Sequence, residues 1–483
     1  MKKFARKTMA VLMAFLLVAA NVVALGAEPH AQENEFIPIR TAFEALNAEV
    51  AWVDADRSIK ITFEDGMLEL FADSQNVYVN DAVVTLRHSI FIINGTSFIH
   101  SDDYLYLLTR LADVEMASHL SETMLEANLI APSIMEQYSV PGMAIAIVDV
   151  NNNFTWTQGF GYADTTRGIL VDENTVFGIG SISKTFTAIA VMQLVEDGII
   201  DLDTPIVEYL PDFSMRISPE IGGDYRNITT RMLLTHTAGI FNQVDLTEDL
   251  FKYNYVSFEE HKSYYMNAFL EIIAQYYLES PEGTVYSYSN NGYNFLGVLI
   301  AAMTGADCIF DGFVGYTNEN IFVPAGMART SFALDERLMP YLALPYADAN
   351  TPDGYVFSNG LPAASMVSTA YDMARFMHLL LRDDGALLAS GTVEYMMQPH
   401  DFDFYGVGLE YGLGFATWAT DGGLLKVGHN GARMHYQAFM FFDMERGIGV
   451  FVATNSFFGM QHFAASAMGE LLLEKAALEI GGF

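Results

Sequence analysis

Strand-forming runs stand at both ends of the long C-terminal part of this chain, with helical segments between them, and that arrangement leaves few folds open. Pro141-Gly142 opens an apolar run from Met143 to Val150, Asn151-Asn152-Asn153 reads as a hairpin turn, and Phe154 to Gly161 reads as the returning strand. Further strand-like runs cover Tyr411 to Trp418, Gly423 to Gly428, Tyr436 to Phe442 and Gly447 to Asn455, closed by a helix from about Phe463 to Leu478. Helical patterns lie between, over about Lys184 to Asp197, Asn291 to Thr304 and Thr369 to Leu381. The expectation is one antiparallel sheet assembled from both ends of the domain, flanked by helices, with a helical subdomain inserted: an α/β chain of the α+β type. Hydrophobic residues at 51% and charged residues at 17% exclude a disordered chain and fit a large packed interior.

A small α+β unit is expected ahead of this domain, because 483 residues exceed one ordinary domain. Phe36-Ile37-Pro38-Ile39-Arg40 leads into an amphipathic helix from Thr41 to Leu46. Short alternating runs follow at Val50 to Val53, Ser58 to Phe63, Met67 to Phe71 and Val77 to Val79, separated by turn residues. Ser97-Phe98-Ile99-His100 and a helical stretch from about Asp103 to Leu111 repeat the opening strand-helix order. This stretch resembles the copper amine oxidase N-terminal-like domain. It holds only His88 and His100, without the clustering that metal ligation needs, so neither a metal nor a cofactor is assigned.

The first residues read as a secretory signal peptide: Lys2, Lys3, Arg6 and Lys7, an apolar run from Met9 to Ala20, then Ala24-Leu25-Gly26-Ala27. An uncleaved membrane anchor is the alternative, but the uninterrupted run is short of the ~20 residues a spanning helix needs. The boundaries expected are therefore 1–27 for the signal, 28–115 for the accessory domain and 116–483 for the catalytic domain, with no membrane span after cleavage. The single cysteine, Cys308, excludes an intrachain disulfide and sits in an apolar stretch as buried filler. Loss of the signal, with its four basic residues and no acid, takes the formal charge from -35 to -39. Such a surface repels nucleic acid and anionic lipid.

Gly180-Ser181-Ile182-Ser183-Lys184 places an S-x-x-K pair at the start of a predicted helix, and the i, i+3 spacing puts both side chains on one face. A serine hydroxyl needs a base to become a nucleophile, and lysine serves when burial or a neighbouring cation lowers its pKa. The helix N-terminus adds N–H groups suited to a developing oxyanion. The pair alone is a weak signal, since an S-x-x-K arises by chance about once or twice in a chain this long. Its weight comes from two motifs later in the chain: Tyr288-Ser289-Asn290 just ahead of a helix, and His429-Asn430-Gly431 on what reads as an edge strand. Leu233-Leu234-Thr235-His236-Thr237-Ala238-Gly239 is a turn-rich element after a helix, in which His236 reads as structural, holding a loop near the site.

These motifs, with Leu194-Val195-Glu196-Asp197-Gly198 and Ser368-Thr369-Ala370 to Asp372, resemble in content and order the serine beta-lactamase-related family of class C beta-lactamases, DD-carboxypeptidases, D-aminopeptidases and esterases. The resemblance runs from about residue 120 to 480. It implies the beta-lactamase/transpeptidase-like fold, Ser181 as the acylated nucleophile, and Lys184 and Tyr288 sharing the proton transfers. It further implies that Asn290 positions a substrate amide, that the backbone N–H groups of Ser181 and Ala432 form the oxyanion hole, and that His429, Asn430 and Gly431 line the substrate strand. A tyrosine becomes a base at neutral pH only beside a cation such as Lys184.

Substrate is where the chain departs from its resemblance. His429-Asn430-Gly431 stands where many relatives carry Lys-Thr-Gly, and a part-charged imidazole would hold a carboxylate weakly or with pH dependence. A hydrogen-bonded strand residue is the other reading of His429. Arg433 either supplies the missing charge or points to solvent. The expected function is an extracytoplasmic hydrolase of a peptide, amide or ester bond, with a D-amino-acid peptidase or esterase favoured over an efficient beta-lactamase. The expected partner is a small acyl, peptide or ester substrate, cell-wall peptide included. The alternative is a penicillin- or wall-peptide-binding protein that does not turn over.

Overall fold

The computed structural model describes most of residues 36–100 and, apart from a few short stretches, residues 120–242, 269–399 and 410–481. The expected signal segment, His88 and the helix expected over Asp103 to Leu111 lie outside the described residues. The chain divides into two compact units, Met1–Asn128 and Leu129–Phe483.

In the first unit, β1 (Phe36–Pro38) runs into α1 (Ile39–Glu44), which starts two residues ahead of the expected Thr41. β2 (Glu49–Val53), β3 (Ser58–Phe63), β4 (Gly66–Phe71), β5 (Asn76–Val79) and β6 (Ala82–Thr85) form a five-stranded sheet in sequence order. Period-two patterning explains it. Ile59, Ile61, Leu68, Leu70 and Val77 are buried, while Lys60 and Glu69 pair across the other face at 3.1 Å. β7 (Phe91–Ile93) and β8 (Thr96–His100) complete a second sheet, where Phe36 of β1 pairs with His100.

The second unit begins within α2 (Ser121–Tyr138), after which the chain forms the hairpin of β9 (Gly142–Asp149) and β10 (Phe154–Asp164), followed by β11 (Ile169–Leu170). Two short strands, β12 (Phe177–Gly178) and β13 (Val367–Ser368), pair beside the main sheet. That sheet has eight strands, ordered β11-β10-β9-β18-β17-β16-β15-β14. Its C-terminal half is β14 (Glu410–Tyr411), β15 (Ala416–Ala419), β16 (Leu425–Arg433), β17 (Tyr436–Asp443) and β18 (Ile448–Thr454). The two ends of the domain therefore meet at β9 and β18, as expected, with Ile147 opposite Val450.

β9, β17 and β18 are buried along their whole length, so both faces must be covered. Ala144, Ala146, Val148, Met440 and Phe451 face one large core, shared with α3 (Ser183–Glu196), α5 (Asn290–Met303) and α7 (Ala370–Arg382). The other face packs on the C-terminal α8 (Ala464–Gly481). Short helices α4 (Thr230–Leu234) and α6 (Leu361–Ala364) complete the part of the core around the site. Side-chain oxygens of Thr229, Ser289 and Thr369 cap α4, α5 and α7, accepting from Met232, Gly292 and Asp372 N–H respectively.

Two expectations change. Tyr411 to Trp418 is two strands rather than one, because Gly414 takes a left-handed φ of 86° and folds β15 back on β14. The strand carrying His429-Asn430-Gly431 is internal rather than an edge, lying between β15 and β17. Pairing with β15 nevertheless stops at Gly428, so residues 429–433 run on with one side open.

Candidate active site

Ser181 sits in a single 3-10 turn, Gly180–Ile182, that leads directly into α3. Gly180 has a left-handed φ of 52°, and a Cβ there would meet the Ala432 nitrogen at 2.6 Å. Only glycine fits such a bend against another backbone. Buried Ser183 pins the turn, its hydroxyl donating to Gly180 O at 2.6 Å while accepting from Met366 N–H at 3.1 Å.

Lys184 is fully buried one turn on, and its ammonium finds three acceptors: Ser181 Oγ at 3.2 Å, Asn290 Oδ1 at 2.7 Å and Ala363 O at 2.8 Å. Burial lowers its pKa well below the ordinary lysine value. Two of the acceptors cannot donate a proton, so they hold two N–H bonds whichever form Lys184 takes. The third direction points at Ser181, as a donor in the charged form and as a lone pair in the neutral amine. That geometry suits a base that takes the serine proton and returns it.

Tyr288 hydrogen-bonds Ser181 through its hydroxyl, and its ring centroid lies 4.7 Å from Lys184 Nζ. Burial raises its pKa, opposite to the lowering expected from a neighbouring cation. Removing the phenolate from water costs more there than its surroundings return, even though Ser181 hydrogen-bonds the oxygen. Tyr288 is thus a phenol at neutral pH, able to pass a proton but not to begin as the base.

Asn290 opens α5, and its carboxamide is already engaged: Oδ1 by Lys184, and Nδ2 donating to Asn242 Oδ1 at 3.1 Å. The same Asn242 oxygen accepts the Asn290 backbone N–H at 3.1 Å. Nδ2 carries a second N–H beyond the one given to Asn242, so a substrate carbonyl can be met without displacing Asn242, a partner that sequence reading did not identify.

The open side of β16 forms the opposite wall. Met434-His435 is a two-residue hairpin loop, so the closing pair Arg433 and Tyr436 exchanges both ladder bonds and the alternation turns the Ala432 N–H away from β17. Contact with Gly180 puts that N–H beside the Ser181 turn. Gly431 makes the approach possible, since a Cβ there would lie 1.8 Å from Ile179 O and 3.2 Å from Ser181 N. Asn430 alternates to the other face, where Ser466 of α8 donates to its Oδ1 at 3.3 Å. Its side chain is therefore absent from the substrate wall, correcting the expectation for that residue.

His429 points into the site but differs from expectation in charge. It is 6% exposed, its Nδ1 contacts Asn430 O, and its Nε2 bonds Tyr411 Oη at 3.0 Å. Burial first, and the nearby Lys184 second, push its pKa down to about 3. A carbonyl can only accept, so the proton sits on Nδ1 and Tyr411 donates to Nε2. His429 is neutral at neutral pH and supplies no cation for a carboxylate. Tyr411 and the Ser183 contact with Met366 are beyond reach in the sequence, because they join segments distant along the chain, whereas His236, expected to hold a loop near the site, does so by accepting the Ser289 N–H at Nδ1.

Among the described residues no cluster of three metal-ligating side chains occurs. Cys308 is buried, with its thiol donating to Asp311 Oδ2 at 3.4 Å.

A family model described as Beta-lactamase matches residues 127–474, and one described as Copper amine oxidase N-terminal domain matches residues 17–103. The chain is similar to the beta-lactamase of Yersinia enterocolitica, 27% identical over 275 residues that cover 57% of this chain and 62% of that protein. It is also similar to penicillin-binding protein 4 of Amycolatopsis lactamdurans, 26% identical over 317 residues, covering 62% of this chain and 77% of that one. The match thus spans about three fifths of the Yersinia protein's length. Among solved structures, the D-amino acid amidase from Ochrobactrum anthropi SV3 superposes with a TM-score of 0.58 at 23% identity, covering 74% of this chain and 98% of that one. This likeness shows the beta-lactamase/transpeptidase-like fold.

Proposed function

The chain belongs to the Beta-lactamase family of serine hydrolases, and from that premise we propose that it works outside the cytoplasm, cleaving a peptide, amide or ester bond through an acyl ester on Ser181. One observation carries the reading: the buried Lys184 whose only adjustable hydrogen-bond direction faces Ser181 Oγ.

In the first half-reaction Ser181 Oγ attacks the carbonyl carbon as its proton passes to Lys184 Nζ. The oxyanion is held by the N–H groups of Ser181 and Ala432, preorganised where β16 abuts the turn. Collapse breaks the bond to the amine or alcohol, which takes the proton from Lys184 by way of the Tyr288 hydroxyl. Water then attacks the ester, gives its proton to Lys184, and Ser181 recovers it as the acid leaves. Each half-reaction conserves protons, and the chain's own side chains carry every transfer.

For substrate, a D-amino-acid peptide, amide or ester is favoured over a beta-lactam. The neutral His429 supports this, because it removes the cation that the Lys-Thr-Gly strand would bring. The basic, apolar and small-residue order of residues 1–27 supports export, and the charge of -35 disfavours nucleic acid as a partner. The unit over 28–115 is read as an accessory module at the envelope.

Turnover assays with a small chromogenic ester, a D-alanyl peptide and a fluorescent penicillin test the proposal. Multiple turnovers that vanish in Ser181→Ala support it. Stable label without turnover would make the protein a binder of penicillin or wall peptide, and activity surviving in Ser181→Ala would sink it.

A further inference from the structure

We propose that His236 is a positioning residue for Tyr288: it holds the backbone on both sides of that residue and backs its ring, so proton transfer at Ser181 depends on it. The proposal rests on the reading of Ser181 as nucleophile and Tyr288 as proton relay.

The two hydrogen bonds straddle Tyr288. Ser287 N–H donates to His236 O at 2.8 Å, and Ser289 N–H donates to His236 Nδ1 at 3.1 Å. Between those anchors the Tyr288 ring centroid lies 4.4 Å from that of His236. The clamp is itself braced, since Gly283 N–H donates to Thr237 O at 2.7 Å and Glu279 N–H to Gly239 O at 2.8 Å. The segment after α4 and the segment before α5 are therefore stitched together with Tyr288 at the end of the seam.

Two features show that this arrangement is maintained against a cost. His236 has a φ of 59°, a left-handed conformation disfavoured for a residue with a Cβ. Strain of this kind persists where surrounding contacts over-determine it, commonly at functional sites. Its Nδ1 accepts a bond and burial keeps the ring neutral, so the proton lies on Nε2. That nitrogen is buried without a hydrogen-bond partner among the described residues. The His236 ring packs among those of Tyr288, Tyr411, Tyr293 and Tyr286, at centroid distances of 4.4, 4.8, 5.0 and 5.5 Å. A residue needed only to close a loop would require neither the imidazole nor its contact with the phenol.

Five variants test this: His236→Gly, His236→Asn, His236→Gln, Tyr288→Phe and His236→Gly combined with Tyr288→Phe, with Ser181→Ala as control. Glycine relieves the backbone but removes the Nδ1 acceptor. Asparagine tolerates the left-handed backbone and returns an acceptor near the Nδ1 position, whereas glutamine places its carboxamide farther out. With a chromogenic ester, His236→Gly is expected to lower kcat about 100-fold with KM little changed, the loss typical of a reacting group displaced by about 1 Å. His236→Asn should recover most of that loss and His236→Gln little. In the Tyr288→Phe background, the His236→Gly loss should largely disappear, because no hydroxyl remains to position.

Wild-type kcat in His236→Gly, or an equal loss with and without the Tyr288 hydroxyl, would overturn the proposal. If His236→Gly fails to fold in thermal melts, the Asn and Gln comparison decides: equal rates overturn it, and recovery by Asn alone supports it. Activity persisting in Ser181→Ala would identify failure of the underlying site reading instead.

Discussion

Adding one methyl group at Gly431 should disable the site without touching any ionisable or nucleophilic group. The Cβ of Gly431→Ala would fall 1.8 Å from Ile179 O and 2.8 Å from its carbonyl carbon, about 1.2 Å inside the 3.0 Å that real Cβ atoms respect. Ile179 cannot retreat freely, since its N–H donates to Met366 O at 3.0 Å and the following turn is pinned by Ser183. The free half of β16 must therefore withdraw by about 1 Å, carrying the Ala432 N–H from the oxyanion. Losing one such donor costs about 10²–10³-fold in rate. Overpacking of this kind costs about 1–3 kcal/mol of stability, well within the tolerance of a domain this size. Gly168→Ala is the matched control: it has a φ of 69° and nothing within 4 Å, so it pays left-handed strain of about 1–2 kcal/mol and should leave the rate alone. Stopped-flow acylation by a chromogenic ester, alongside thermal melts, reads both. A folded Gly431→Ala that acylates at the wild-type rate would refute the placement of β16 against the nucleophile.

Three further outcomes are expected at the site. Activity requires the neutral amine of Lys184, so kcat/KM should rise with pH through a midpoint well below the ordinary lysine value and be lost as the solution is acidified; a limb near 10.5 would contradict a buried base. Because burial raises the Tyr288 pKa, activity should show no fall at the pH where an ordinary tyrosine ionises, and Tyr288→Phe should lower turnover while leaving the protein folded by circular dichroism. His429 titrates at about 3, so KM for a carboxylate-bearing substrate should stay flat between about pH 5 and 8, the range in which an ordinary histidine would change charge; a step near 6.5 would show a titrating imidazole in the site.

Much of the architecture is legible before folding because it depends on local periodicity. Met143 to Val150 and Tyr436 to Phe442 announce strands; the observed β9 is shifted by one residue at each end, and β17 runs one residue further at its C-terminal end. The helices over 184–197 and 369–381 likewise fall within a residue of α3 and α7. What escapes is set by contacts distant along the chain. Tyr411 to Trp418 is the local exception: its apolar run hides a turn in which Gly412 N–H donates to Phe415 O at 2.8 Å across the left-handed Gly414. His429 looks half-charged because its burial against Tyr411 and Lys184 comes from three separate segments. Asn430 looks like a substrate contact because the motif gives its neighbours but not its face, which only the pleat and α8 decide. Ser181, Lys184 and Tyr288 are recoverable because their residue types are chemically unusual together; His236 reads as a loop-holding residue, but its hold on the backbone either side of Tyr288, like the role of Asn242, emerges only once α4 and α5 are joined.

Intact-mass and peptide-mass analysis after brief exposure to an acyl donor, quenched in acid, tests the nucleophile most directly. A single stoichiometric acyl adduct is predicted on the peptide containing Ser181, absent from Ser181→Ala and formed more slowly in Lys184→Ala. Hydrolysis persisting without any adduct on Ser181, or an adduct that survives Ser181→Ala at another residue, would contradict it.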